Sequence, residues 1–240
     1  MSLRVLDLFC REGGAAMGFI QAGASEVVGY DVVNRAKRYP GKFVQGSALD
    51  LTPEYIRTFD YVHASPPCQF GTALRHAPNA KGESGHLNLI PVTRALLDAA
   101  GVPYDIENVG DVARAGHLID PVMLNGFMFD LGCTTSQGVR FHLERERWFE
   151  ASWPLSAPTG WTAQKPVCGI YGAHIRNRSA AHGGRGTVDF PGEDRPALAK
   201  EAMGMPWATM DGMSEAIPPA FTRYIAEQFL AWRAGHKEAA

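Results

Sequence analysis

Four stretches of this 240-residue chain carry side chains whose types and spacing could do chemistry. The first is Ala64-Ser65-Pro66-Pro67-Cys68-Gln69, which follows the apolar-leaning run Tyr61-Val62-His63. Two prolines stop a β-ladder or a helix, since neither has a backbone N–H and each fixes φ. A cysteine on a rigid turn at a strand's end is well placed for nucleophilic work; its other reading is a small buried hydrophobe. The second is Glu107-Asn108-Val109, a carboxylate past the strand-like run Val102–Ile106. The third is Asp31, which ends the run Glu26–Asp31. It falls about 20 residues after the paired glycines Gly13-Gly14, the distance at which an acid holds ribose hydroxyls, although it could equally cap a short helix around residues 34–36. The fourth holds Arg145 and Arg147, which point to one face if residues 143–150 form a strand. A solvated face with local ion pairs is the alternative.

These groups need elements to position them. Arg4–Phe9, Glu26–Asp31, Phe43–Gln45, Asp60–Ala64 and Val102–Ile106 read as strands, with later ones at residues 121–129 and 139–142. The first strand turns through Gly13-Gly14 into a helix-compatible run, the opening half of a nucleotide-binding βαβ unit or a plain strand-to-helix turn. The spacing is not GxGxxG, and the glycines would let backbone approach a ligand. Leu89/Ile90, Thr93, Leu96/Leu97 and Ala100 recur at helical spacing, with Gly101 as the stop. A helix over residues 195–204 has Pro196 in its first turn, and Phe221, Ile225, Phe229 and Trp232 form the apolar stripe of a last one. The expectation is an α/β fold whose ligands sit beyond the carboxyl ends of the strands, where Asp31, Cys68 and Glu107 converge on one rim. Residues 70–86, with Arg75 and Lys81, have no period and read as a lid. Residues 152–193 are rich in Pro, Gly, Ser and Thr; within them residues 171–188 carry Arg176, Arg178 and Arg185 without an acid, either a nucleic-acid surface or an exposed basic loop.

Hydrophobic content of 45% and charged content of 20% are ordinary for a globular enzyme or binding protein. A formal net charge of -2 excludes a basic nucleic-acid coat and leaves room for a local basic face. The four cysteines form no CxxC pair, which argues against a zinc ribbon or a disulfide framework, so no metal is expected. The opening residues run straight into a strand without a leader-like pattern, and no apolar run reaches membrane-spanning length. A cytoplasmic, monomeric protein is expected.

Taken together, the motifs resemble the DNA cytosine-5 methyltransferase family, in the compact form carried by bacteriophages. Asp7-Leu8-Phe9 through Gly13-Gly14 and Gly18-Phe19 looks like the family's S-adenosylmethionine loop, Pro66-Pro67-Cys68-Gln69 like its proline-cysteine motif, and Glu107-Asn108-Val109 like its glutamate motif. Arg145 and Arg147 with Trp148-Phe149 resemble the arginine motif, residues 201–206 the support of the target-recognition region, and Ala216-Ile217-Pro218-Pro219 the last motif. The chain departs from the pattern at Arg11, usually glycine; at Ser47, usually an acidic adenine contact; at Leu143, usually glutamine; and at Glu215, usually asparagine.

The resemblance implies a Rossmann-like sheet with helices on both faces over residues 1–151, a small irregular target-recognition lobe at 152–194, and C-terminal helices at 195–240 that return to the catalytic domain. It implies S-adenosylmethionine as cofactor, held by Asp7, Phe9, Gly13, Gly14, Asp31, Ser47, Pro66, Glu215 and Ala216. The implied partner is double-stranded DNA in a bacterial host cell, met by Gln69, Arg75, Lys81, Arg176, Arg178 and Arg185. Cys68 would attack carbon 6 of a flipped cytosine, and Glu107 would hydrogen-bond N3 as a carboxylic acid. Arg145 would hold the base's carbonyl and position Glu107, with Arg147 supporting the same face. Two alternatives remain at this stage: methylation of cytosine in tRNA, and a DNA-binding module that has lost catalysis.

Overall fold

The first strand, β1 (Arg4–Leu8), sets the frame of the computed structural model, which describes residues 2–68, 87–178 and 190–237. Successive strand residues point to opposite faces, so its side chains divide between two apolar layers. Val5 packs with Phe19, Tyr61, Phe221, Ile225 and Phe229, while Leu6 and Leu8 pack with Ile56, Val62, Ile90, Leu97 and Ile106. A strand buried on both faces requires helices on both. α1 (Gly14–Gln21) and α7 (Pro219–Lys237) cover the first face, α2 (Pro53–Ile56) and α3 (Ile90–Ala100) the second.

β2 (Glu26–Asp31), β3 (Lys42–Gln45), β4 (Tyr61–Ala64) and β5 (Tyr104–Asn108) continue the parallel sheet. Beyond β5 lie β6 (Val122–Leu124) and β9 (Arg147–Ala151), with β9 antiparallel to both of its neighbours. The seven strands run β3-β2-β1-β4-β5-β9-β6. Chain order reverses between β1 and β4, the switch point at which open α/β sheets bind ligands. The expected Rossmann-like sheet with helices on both faces is present.

A second sheet contains β7 (Gly132–Thr134), β8 (Arg140–Leu143), β10 (Val167–Tyr171) and β11 (His174–Asn177), in the order β11-β10-β8-β7. α5 (Arg195–Met203), capped by Asp194 and ended by Gly204, packs on it through Leu198, Ala199, Ala202 and Met203. α4 (Gly110–Arg114) follows β5, and α6 (Met210–Glu215) precedes α7.

Several sequence expectations are corrected here. Residues 34–36 form no helix; the Asn34 side chain instead accepts from the Ala36 N–H in a turn. Residues 121–129 are not one strand, because Asn125 ends β6 and caps a 3₁₀ turn at Gly126–Phe129. The second sheet takes strands from both sides of residue 152, so the small lobe is not confined to 152–194, and its described part holds a β-hairpin rather than irregular chain. The glycines of the first turn serve packing: a Cβ on Gly14 would lie 2.2 Å from the Ile217 carbonyl oxygen, and one on Gly18 2.1 Å from Thr222 Oγ1. They let α1 press onto the chain entering α7.

Candidate active site

Ser65 extends β4 by one more ladder bond, its N–H donating to the Leu8 carbonyl at 3.1 Å. Pro66 and Pro67 then leave the sheet. Asn108 Nδ2 donates to the Pro66 carbonyl at 2.9 Å, which fastens the cysteine turn to the end of β5. Next to it, Ser65 Oγ donates to Glu107 Oε2. On the other oxygen, Arg147 Nε lies 2.9 Å from Glu107 Oε1. That contact is an ion pair out of line for N–H···O, so the buried Oε1 has no hydrogen-bond donor. Cys68 is the one cysteine of the four that is not buried. Burial raises its thiol pKa, the Glu107 charge adds to the rise, and Arg147 opposes it. The structure therefore brings Cys68, Glu107 and Arg147 together.

Arg145 has a different place. β8 ends at Leu143 and β9 begins at Arg147, so the two arginines do not share a strand, and the same-face argument fails. Arg145 lies where the chain crosses between sheets and is fully buried. Its Nη1 donates to the Ile170 carbonyl at 2.9 Å, and its Nη2 faces the carbonyls of Met213, Ser214 and Ala216 at 3.2, 2.8 and 2.6 Å. Arg145 was expected to position Glu107, and the arginine beside Glu107 is Arg147. Arg145 is a clamp that ties β10 to the segment entering α7. A lysine has one nitrogen and cannot replace a planar fork serving four carbonyls. Arg145→Lys is expected to lower stability by about 3–5 kcal/mol, the cost of breaking a buried charged network. Urea unfolding would show it, and a loss below about 1 kcal/mol would contradict the clamp.

Behind the turn runs a buried polar row. Asp7, His63 and Asp105 are register partners across β1, β4 and β5, all on the α1/α7 face. His63 Nδ1 is 2.6 Å from Asp105 Oδ2, and Tyr61 donates to Asp105 Oδ1 at 2.7 Å. Tyr39 donates to Asp7 Oδ2 at 2.9 Å. Asp7 Oδ1 and His63 Nε2 have no partner. Burial pushes the Asp7 carboxyl up to about 6, against the His63 charge and the Tyr39 hydrogen bond. Burial alone would press the imidazole down; the charge and hydrogen bond of Asp105, then Asp7 and Glu107, outweigh it and lift His63 to about 9 from an ordinary 6.5. Between those two values the native state holds a proton that the unfolded chain has released. The stabilisation is full below pH 6.5 and is lost as pH rises through 9. Unfolding free energy should fall across that window, and His63→Gln should flatten the slope. Urea titrations at stepped pH check this.

A recess opens at the carboxyl ends of β1 and β4, lined by Asp7, Phe9, Arg11, Gly14, Glu215 and Ala216 among others. Phe9, Arg11 and Gly13 have φ of 59°, 48° and 75°, left-handed backbone that costs about 1–3 kcal/mol at each non-glycine and is typical of functional loops. Asp31 stands beside this loop, with Oδ2 accepting from Arg11 N at 3.0 Å and Oδ1 from Val33 N at 2.8 Å. Ser47 follows β3 and accepts from Leu49 N as the cap of a 3₁₀ turn at Ala48–Asp50. Pro66 is buried under the cysteine turn. S-adenosylmethionine carries a ribose diol and a positive sulfonium. The residues present fit it: an oriented carboxylate at Asp31, and at Asp7, which lines the recess, a buried carboxylate oxygen without a partner.

Of the basic groups, Arg178 pairs with Glu144 at 2.9 Å and stacks over Tyr171 at 5.4 Å, and Arg176 Nε donates to the Tyr171 carbonyl at 3.4 Å. Both are partly buried on the small sheet. Gln69, Arg75, Lys81, Arg185 and the lid at residues 70–86 lie outside the described residues. Sequence reasoning missed Ser65, His63, Asp105 and Glu12. Glu12 is buried, with its carboxylate accepting from the Thr209 N–H and hydroxyl, both at 2.8 Å. The available signal was a charged residue inside an apolar run. Among the described residues no group of three or more His, Cys, Asp or Glu could hold a metal, and no helix is long and apolar enough to cross a membrane.

A parallel sheet with one reversed strand beyond β5, and a polar recess at its switch point, defines a Rossmann-like α/β fold. Solved structures share that fold. A DNA modification methyltransferase encoded within an E. coli prophage matches with a TM-score of 0.59 at 13% identity, over 96% of this chain and 99% of its own. The S. pombe Dnmt2 methyltransferase matches with 0.59 at 14% identity over 95% and 98%, and a Spodoptera frugiperda DNMT2 mutant with 0.60 at 13% over 96% and 99%. The chain therefore has the fold of these methyltransferases, along nearly its whole length and theirs. No protein-family model and no curated protein matches its sequence.

Proposed function

We propose that the chain is a DNA cytosine-5 methyltransferase using S-adenosylmethionine. The observation that carries this is the meeting of Cys68, Glu107 and Arg147 past the ends of β4 and β5, beside a recess suited to a nucleoside cofactor. The bound donor supplies an electrophilic methyl group. Carbon 5 of cytosine is a poor nucleophile until a thiolate adds to carbon 6. As the Cys68 sulfur–carbon bond forms, the ring's electrons move towards N3, where Glu107 provides a hydrogen bond and a proton. Its Oε1, which accepts no hydrogen bond although Arg147 sits beside it, is the atom for this contact. Carbon 5 then takes the methyl group, a base removes the carbon-5 proton, and the Cys68–carbon bond breaks.

The target base must leave the duplex to reach Cys68. The small sheet and the segment within residues 152–194 serve as the recognition lobe in this reading, with Arg176 and Arg178 at the groove or backbone and Gln69, Arg75, Lys81 and Arg185 as further DNA contacts. Arg178 must trade Glu144 for phosphate, so affinity should fall steeply with salt. The test is a side-by-side assay of labelled S-adenosylmethionine with mixed-sequence duplex DNA and with tRNA. Label in 5-methyl-deoxycytidine is expected. Label confined to tRNA would move the substrate to RNA, and none in either would remove the activity.

A further inference from the structure

Two residues at which the chain departs from the family pattern, Arg11 and Glu215, find each other in three dimensions. Arg11 Nη2 lies 3.1 Å from Glu215 Oε2, joining the loop after β1 to the last residue of α6. Both line the recess. We propose that this pair reads the zwitterionic amino-acid end of the donor: Arg11 takes its carboxylate and Glu215 its ammonium group. The inference rests on the donor reading above. The donor has three arms at sulfur. With the ribose at Asp31 and the methyl facing Cys68, the aminobutyrate arm falls to the recess between the loop after β1 and the end of α6.

An ion pair is the complement of a zwitterion, since each partner exchanges one opposite charge for another and no charge is left alone. The exchange is cheap here. The side chains are 30% and 44% exposed, and a pair this exposed contributes little to stability. It is also required, because the recess holds only about 20 Å³, far below the roughly 300–1,000 Å³ of small-molecule pockets, so the pair must part before the arm can enter. Asp7 and His63 lie deeper, at 1% and 0% exposure, whereas Arg11 and Glu215 are partly open to solvent. Arg11 keeps φ at 48°, where a glycine would sit without strain, so the loop bears a backbone cost to present a guanidinium.

Calorimetry tests this without turnover, using S-adenosylhomocysteine, decarboxylated S-adenosylmethionine, S-adenosylmethionine and 5′-methylthioadenosine, which lacks the arm. The wild type is expected to bind the decarboxylated donor about tenfold or more weaker than the intact one, the worth of a charge-assisted hydrogen bond. Arg11→Gln should bring that ratio to within about twofold, and Arg11→Lys should restore most of it. Glu215→Gln should weaken S-adenosylhomocysteine by a similar factor. Neither Gln variant should change methylthioadenosine affinity; a shared loss there would mean that the pair only props the loop, overturning the proposal. An unchanged ratio in Arg11→Gln overturns it too. If the wild type binds none of the four compounds, the donor reading itself falls and takes this inference with it.

Discussion

Cys68→Ala is expected to reduce methyl transfer to DNA below about 10⁻⁴ of the wild-type rate, because no other group can form the bond to carbon 6. The remaining cysteines are no substitute. Cys10, Cys133 and Cys168 are 6%, 0% and 0% exposed. Burial first, then the Asp7 and Asp31 charges, push the Cys10 thiol far above its ordinary range, and a hydrogen bond with Cys133 followed by burial does the same for Cys168. The substitution should leave the fold intact. Cys68 packs only at the margin of the α2/α3-side cluster, and the turn is held through Pro66 and Asn108 rather than through sulfur. Donor affinity is therefore expected to stay within about threefold, less than 1 kcal/mol. Single-turnover kinetics and calorimetry on one preparation check both halves. Methylation retained by the alanine variant would remove Cys68 from the reaction.

Glu107→Gln is the second large effect. An amide can hydrogen-bond N3 but cannot give it a proton, so transfer should slow by about 10²–10⁴. The charge also leaves the neighbourhood of Cys68. Glu107 raises the thiol pKa and Arg147 lowers it, so the variant's thiol should be more acidic than the wild type's. The variant is thus expected to alkylate faster with iodoacetamide near pH 8 while methylating far more slowly. A structural lesion would not separate the two readouts in this way. Near-normal transfer, or a thiol no more reactive than wild type, would take Glu107 out of its role.

The parallel half of the sheet and its rim were legible because short apolar runs ended at Asp31, Cys68 and Glu107, and strands in such sheets deliver their ends to one side. Helix boundaries were legible too: Gly101 stands where one helix stops and Pro196 where another starts. The arginine pair was not. Period-two reasoning holds within a strand, whereas the chain changes sheets between Leu143 and Arg147, so Arg145 faces four carbonyls and Arg147 the glutamate. The buried row needed register as well as pattern. Asp7, His63 and Asp105 are far apart in sequence, and only pairing across β1, β4 and β5 aligns them. Gly14 and Gly18 also serve packing, because a missing Cβ can admit a neighbouring backbone as well as a ligand, and here Ile217 and the first turn of α7 come close. Arg11 and Glu215 each looked like a lone departure, and folding makes them a pair.

The central claim is that the Cys68 sulfur bonds to a cytosine that is then methylated. It can be read in one step by offering the protein and S-adenosylmethionine a mixed-sequence duplex whose cytosines carry fluorine at carbon 5. Fluorine cannot leave as a proton does, so the adduct persists after methyl transfer. Peptide mass spectrometry should then find one methylated fluorocytosine nucleotide on the peptide containing Cys68, and none on those containing Cys10, Cys133 or Cys168. No adduct, or an adduct on another cysteine, would contradict the account.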